Sequence, residues 1–444
     1  MKTLKFGVEY IQVRHNKDYK SSIQGVNMIT TTVIIIWVIY FFFLYFTVFW
    51  LLIFVDTPLS SKSKKIKNYP LVSIGIPAYN EEKTIAKTIE SAVLLDYPKN
   101  KIEIIVVNDG SIDKTAQVVR KMISKYKNMK VILINQKNGG KGKALNVAIK
   151  KSRGEYFVSL DADSFVRSDA LKKILPHFTD DDVAAVLPLM KIKKPKKILE
   201  KIQWAEYMVN LFYKRLMAIL DCVQVTPGPF SVYKKDILVK VGGYDENNLT
   251  EDMEVTLKLQ KIHYKIKQIN DTEVYTIPPK TLKAFFKQRN RWYKGTLINA
   301  YSYKNMIFNK QYGDFGMIQM PRLLAEGFLA VSAFFIIGYI SIVRPLWFKF
   351  HNYALVNFDI LPLFSRWFSN FSLLDLDYMN LFLAFAMTAI VIFFMYHAHK
   401  QTRQRFSINS IVSIPLYLIF YSILASLALL TVFADLIRGK RQKW

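Results

Sequence analysis

Asp161 and Asp163 stand two residues apart in Asp161-Ala162-Asp163, directly after the apolar run Tyr156–Leu160. At a strand end, residues i and i+2 point the same way, so both carboxylates can face one point. Their hard oxygens suit Mg2+ or Mn2+. By itself an Asp-x-Asp pair fits a turn or a helix start equally well. Two further apolar runs end alike. Leu71–Ile76 leads into Pro77-Ala78-Tyr79-Asn80-Glu81-Glu82, and Ile102–Val107 into Asn108-Asp109-Gly110-Ser111. These ends offer acceptors of the kind a base and ribose require. Asn138-Gly139-Gly140-Lys141-Gly142-Lys143 follows a fourth apolar run, Val131–Ile134. Glycines and lysines ahead of a helix can hold a diphosphate at its N-terminus, or form a mobile turn. Neither the phosphate-loop pattern nor the dinucleotide fingerprint is satisfied.

Two later segments carry further chemistry. Leu249-Thr250-Glu251-Asp252 precedes a helical stretch, Met253–Gln260. Thr250 and Asp252 fit helix caps, and Asp252 equally fits a general base. In Gln288-Arg289-Asn290-Arg291-Trp292, helical spacing puts Gln288, Arg291 and Trp292 on one face. That face offers an amide, a guanidinium and an aromatic platform, although Trp and Arg also serve as membrane-boundary anchors.

The elements that must position these residues alternate. The four apolar runs are separated by helical stretches at Glu82–Leu95, Lys114–Tyr126 and Ala144–Lys151. Short apolar runs between helices indicate a parallel sheet buried on both faces, whose strand ends are the usual ligand site. Outside this α/β region the chain is apolar. Met28–Val55 contains no charge, Gly or Pro, and at about 1.5 Å per residue it exceeds a hydrocarbon core of ~30 Å. Leu323–Val343, Leu381–Tyr396 and Ile411–Ala434 are further candidate spans. The expected organisation is a polar lead-in at 1–27, a span at 28–55 and a linker at 56–70. An α/β domain at 71–285, interface helices at 286–320 and membrane helices at 321–444 complete it.

The net charge of +28 comes with no basic reader motif, so a domain facing anionic headgroups explains it better than nucleic acid. The single cysteine, Cys222, excludes an intrachain disulfide. The expected setting is a multi-pass protein of the cell membrane with a cytoplasmic catalytic domain. The basic loop His397–Arg405 supports that orientation, whereas a simple span count puts the basic Arg438–Trp444 on the wrong side. Glu326, inside the second run, fits either a polymer path or an ion pair with Arg322.

The order of these motifs resembles the processive family-2 glycosyltransferases: hyaluronan, chitin and poly-N-acetylglucosamine synthases, with cellulose synthase more distant. The resemblance covers about Leu71 to Gly295. It implies a GT-A (Rossmann-like) catalytic domain beside an α-helical membrane domain. The implied partners are a nucleotide-sugar donor, a polysaccharide or glycolipid acceptor and the lipid bilayer. Tyr79, Glu81, Asp109, Lys141 and Asp161 would serve the nucleotide and diphosphate, and Asp163 would hold Mn2+ or Mg2+. Asp252, beside Glu251 in the catalytic pair, matches the base of the Thr-Glu-Asp motif. Gln288, Arg291 and Trp292 match the Gln-x-x-Arg-Trp signature, and Gly228 belongs to a loop beside the acceptor. The chain departs from the pattern in lacking a cyclic-dinucleotide-binding domain and in having one clear N-terminal span. The rival enzymatic reading adds a single sugar to a polyprenyl phosphate or glycolipid.

Overall fold

A strand covered on both faces has no room for charge, and Val72-Ser73-Ile74-Gly75-Ile76-Pro77-Ala78 has none. In the computed structural model it forms strand β1 (Val72–Ala78), buried along nearly its whole length. The structure describes residues 68–193, 195–355, 378–402 and 408–439, with parts of 34–54. Parallel to β1 run β2 (Ile102–Asp109), β3 (Lys130–Gln136) and β4 (Tyr156–Ser159), in the order β3-β2-β1-β4. Helices α1 (Ile85–Val93), α2 (Thr115–Lys125) and α3 (Lys141–Lys151) make the crossovers. Because β2 and β4 flank β1 on opposite sides, the connections diverge at the carboxyl ends of β1 and β4. A crevice opens there.

Successive residues of β2 feed opposite faces. Ile104 and Val106 pack with Ile74, Ile89 and Val119 on one face, while Ile105 and Val107 pack with Ala144, Leu145 and Phe157 on the other. Each such aliphatic side chain contributes about 1.5–3 kcal/mol by leaving water. This double-sided core holds the strand ends rigid, and the site is built on them.

Past β4 the sheet becomes mixed, unlike the all-parallel sheet expected. It continues through β5 (Phe165–Val166), β6 (Val183–Ile192), β7 (Ser231–Lys234) and β8 (Lys265–Thr276), in the spatial order β4-β7-β6-β8-β5. β7 is antiparallel to both β4 and β6, which closes the second half of a GT-A-like sheet. Between these strands lie α4 (Ala170–Ile174), α5 (Ile198–Ile219), α6 (Lys235–Lys240) and α7 (Glu251–Lys261). After β8, Pro278 and Pro279 bar a continuing ladder, and the Thr281 hydroxyl caps α8 (Leu282–Ser302) by accepting from the Ala284 N–H.

The remaining helices are α9 (Met320–Gly338), α10 (Arg344–Leu355), α11 (Tyr378–Gln401) and α12 (Ile408–Ile437). The apolar runs expected at Leu323–Val343 and Leu381–Tyr396 are helical, the first passing into a π-turn at Tyr339–Val343. Among the described residues, one helix is long and apolar enough to cross a membrane, Ser410–Ile437. Ala428, Leu429 and Val432 of α12 are buried, whereas Leu418, Ile419, Phe420, Ile423 and Leu427 are exposed. Met1–Ser60 forms a separate compact unit, helical wherever it is described between 34 and 54. Most of the linker expected at 56–70 lies outside the described residues, as does the side chain of Glu326. Arg322 donates to the Tyr213 hydroxyl at 2.8 Å and to Gln224 Oε1 at 3.0 Å.

Candidate active site

The end of β1 is tied to the end of β2 by side chains capping backbone. Asn80, in the left-handed region at φ 57, accepts the Ile112 N–H at 3.0 Å, and its own N–H reaches the Ser111 hydroxyl at 3.0 Å. The Glu81 N–H donates to Thr115 Oγ1 at 2.8 Å. Tyr79 projects from this turn half exposed. Burial raises the Glu81 carboxyl above its ordinary range, and the charges of Asp161 and Asp113 add to the effect.

Asp109 is buried at the tip of β2. One oxygen accepts from Gln136 Nε2 at 2.7 Å and the Gly139 N–H at 2.9 Å, and the other from the Gly140 N–H at 2.8 Å. Its observed contacts are therefore to the glycine-rich loop. Gly140 takes φ 91, a conformation that favours glycine, and is the last residue before α3 begins. Lys141 is thereby the first residue of α3, at the positive end of the helix.

Lys141 joins three motifs that are far apart in sequence. Its ammonium pairs with Asp161 Oδ1 at 2.7 Å and with Glu251 Oε1 at 3.1 Å. Burial would discharge this lysine, but Asp161, Glu251 and Asp252 outweigh burial and hold its ammonium above the usual lysine range. A Cβ at Gly228 would fall on the Asp161 carboxylate and the Lys141 ammonium, so this position admits only glycine without displacement. Asp163 is pushed up to about 7 by burial, then by the negative charges of Asp161 and Glu81. Ser164 donates to it at 3.1 Å, and the loop is pinned where Thr88 Oγ1 donates to the Ala162 carbonyl at 2.7 Å. Among the described residues no group of three or more His, Cys, Asp or Glu converges as a complete metal cage. Asp161 and Asp163 nevertheless fit a cation that a diphosphate helps to coordinate, because a cation would offset the burial and the neighbouring negative charges that push Asp163 toward its protonated form.

Glu251 and Asp252 open α7. Burial raises the buried Glu251 carboxyl; Lys141 and Arg291 oppose the shift and Asp252 adds to it. Asp252 Oδ1 accepts its neighbour's N–H, that of Met253, at 2.9 Å, so it also serves the first turn as a local cap. Its carbonyl is held by Thr256 Oγ1 at 2.6 Å and Thr226 Oγ1 at 3.2 Å. Thr226 in turn receives the Tyr233 hydroxyl at 2.7 Å. The Thr226–Phe230 loop is thus fastened to the turn carrying Asp252, and its Gly228 packs directly against the Lys141–Asp161 pair.

α8 closes the far side. Asn299 Nδ2 donates to Thr250 Oγ1 at 3.0 Å, fixing this helix on the start of α7. Arg291 lies within electrostatic reach of Glu251. Gln288 accepts from Arg289 Nη1 at 2.9 Å, and Trp292 is partly exposed. The sequence patterns do not single out Arg289, Glu206 or Lys214. Arg289 is fully buried against Glu206, although it occupies an unspecified position of the Gln-x-x-Arg-Trp pattern. Burial pulls the Lys214 ammonium down to about 8 against the opposing charge of Asp252. For Glu206 the one available signal was a carboxylate within an otherwise apolar helical stretch, Trp204–Val209.

An open mixed sheet with paired carboxylates, a glycine-lysine loop and a Thr-Glu-Asp turn at one crevice defines a GT-A-type glycosyltransferase architecture. Comparison with known proteins agrees. Residues 73–242 match the family described as Glycosyl transferase family 2. Poly-beta-1,6-N-acetyl-D-glucosamine synthase of Staphylococcus aureus strain COL is 35% identical over 226 residues, 50% of this chain and 54% of that protein. Probable glycosyltransferase YdaM of Bacillus subtilis strain 168 is 30% identical over 285 residues, 62% of this chain and 64% of that protein. The chain spans between about half and two thirds of the length of these relatives. Among solved structures, mannosyltransferase PcManGT from Pyrobaculum calidifontis, in complex with GDP-Man and Mn2+, superposes with a TM-score of 0.52 at 18% identity, covering 86% of this chain and 94% of that one. That likeness concerns the fold. Residues 73–242 are thus similar to family-2 glycosyltransferases.

Proposed function

We propose that this protein is an inverting, metal-dependent membrane glycosyltransferase that extends a β-linked polysaccharide from a nucleotide-diphosphate sugar. UDP-N-acetylglucosamine is the first donor to test, given the relative named above. The observation that carries the reading is the Lys141 bridge. One ammonium links the strand end bearing Asp161 and Asp163 to the turn bearing Glu251 and Asp252. This contact supports a donor diphosphate and an acceptor base working at one place.

Tyr79, Glu81 and the loop held by Asp109 bound the pocket for the nucleoside. Asp161 and Asp163 would hold Mn2+ or Mg2+, which supplies positive charge against the leaving diphosphate. Lys141, at the start of α3, adds a fixed positive charge on the same side, and Arg291 another. Asp252 takes the proton of the acceptor hydroxyl as that oxygen attacks the anomeric carbon from the face opposite the diphosphate. An α-linked donor then gives a β-linked product, with no glycosyl-enzyme. Trp292 offers its flat face to the sugar ring at the chain end. Charged partners in a low-dielectric crevice act with little reorganisation, which is the main source of rate here.

The uncovered apolar face of α12 supports a bilayer setting. At about 1.5 Å per residue it exceeds a ~30 Å hydrocarbon core. The helical runs within 323–343 and 381–396 are assigned to the same membrane part, and the growing chain is passed into it; the run at 28–55 is a further span of its own unit. Purified protein is to be given a panel of labelled nucleotide sugars with Mn2+, with and without excess chelator. Transfer from a uridine-linked N-acetylhexosamine that stops on chelation is expected, and transfer unaffected by chelator contradicts the metal assignment.

A further inference from the structure

A polar chain runs from the C-terminal apolar helix to the aromatic at the acceptor end. Glu206 of α5 is buried and has two partners. One oxygen takes the Arg289 Nη2 group, and the other accepts the Tyr421 hydroxyl of α12 at 2.9 Å. Arg289 Nη1 donates to Gln288 Oε1 at 2.9 Å. The guanidinium lies between two rings of its own helix, 4.8 Å from the centroid of Phe285 and 4.2 Å from that of Trp292. The spacing Phe285, Arg289, Trp292 is i, i+4, i+7, so all three share one stripe of α8. Next to them, Asn290 Nδ2 donates to Thr431 Oγ1 at 2.8 Å and Asp435 Oδ2 at 3.2 Å, again on α12.

A guanidinium this buried is tolerable only where its carboxylate holds it. Glu206 therefore decides where Arg289 sits. A planar cation stacked on an indole also fixes the plane of that ring, which a lysine ammonium would not do equally well. Tyr421 occupies the second oxygen of Glu206 and so helps fix the carboxylate from the apolar helix.

We infer that Glu206 and Tyr421 are positioning residues for Trp292, acting through Arg289, and that the seating of α12 is thereby coupled to the platform for the sugar-chain end. The inference about Trp292's orientation stands on geometry; its consequence for elongation rests on the acceptor-platform reading given above. The test uses the full chain in nanodiscs, labelled with 5-fluorotryptophan, the Trp292 resonance being assigned with Trp292→Phe. Glu206→Gln and Tyr421→Phe should each shift or broaden the Trp292 resonance while leaving the other tryptophan signals in place. With UDP-N-acetylglucosamine as donor, Tyr421→Phe should shorten the product about three- to ten-fold, the effect of losing one hydrogen bond, and Glu206→Gln, which leaves the buried guanidinium without its carboxylate, by at least as much. Donor hydrolysis without acceptor should stay within about two-fold, and Arg289→Lys should not restore the wild-type resonance. Tyr421→Phe removes only a hydroxyl, so it serves as the test on its own if the Glu206 variant does not fold. A Trp292 resonance unmoved in folded variants overturns the positioning role. Unchanged product length in Trp292→Phe and Trp292→Ala, with the coupled shifts intact, overturns the platform reading alone.

Discussion

Gly228→Ala is the sharpest probe of the Lys141 bridge, because it adds one methyl group at one place. The new Cβ would overlap both the Asp161 carboxylate and the Lys141 ammonium, so both must shift. Gly228 is not in the left-handed region, so alanine brings no backbone strain of its own. Losing one aimed donor at a developing charge costs about 2.7–4 kcal/mol. The two side chains are 21% and 24% exposed, so solvent screens part of the pair. A reduced cost of about 2–3 kcal/mol corresponds to a roughly 30- to 160-fold loss of transfer. Overall stability should shift by less than about 1 kcal/mol, since both displaced groups are flexible tips. Initial rates of sugar transfer, measured beside a melting curve, decide the matter. Transfer within three-fold of wild type, with the melting temperature kept, would refute the argument that this contact organises the site.

Two further outcomes follow from the same geometry. Asp252→Asn keeps the shape and the Met253 cap but removes the base, and should lower transfer about a hundred- to ten-thousand-fold with donor binding retained; near-normal rates would reduce Asp252 to a helix cap. Asp163 titrates near 7, above its unfolded value of about 3.9, so the folded state holds the extra proton between those values. Metal-free protein should therefore lose stability as pH rises from about 4 to about 7, Mn2+ should restore it above that window, and Asp163→Asn should flatten the dependence. Metal-free melting curves with the same pH dependence in wild type and variant would contradict this account.

The first half of the sheet was legible because each strand is a short apolar run that ends in polar residues. β1 to β4 fall where the runs at Leu71, Ile102, Val131 and Tyr156 fall, and α7 begins at the Thr-Glu-Asp turn. The second half was not. β7 has only four residues, Ser-Val-Tyr-Lys, and β8 carries Lys, Gln, Asn, Asp and Glu along a strand of mixed burial, so neither shows a clear apolar signature. Its antiparallel pairing depends on partners distant in sequence. At the site, motif spacing picked out Lys141, Asp161 and Asp252, but the Lys141–Glu251 contact spans two elements that no local pattern connects. Arg289 shows the limit most clearly. Its partner Glu206, and the Tyr421 that holds Glu206, lie on two other helices, and helical periodicity within α8 does not reveal which face meets them.

The central claim, repeated transfer at one crevice, is tested most directly by sizing the product. Purified full-length protein is incubated with labelled UDP-N-acetylglucosamine and Mn2+ at rising donor concentration, and the labelled material is resolved by length. Long chains are expected, whose appearance requires Asp252 and whose length falls in Trp292→Ala. A single labelled sugar on extracted lipid, with no longer species at any donor concentration, would contradict it.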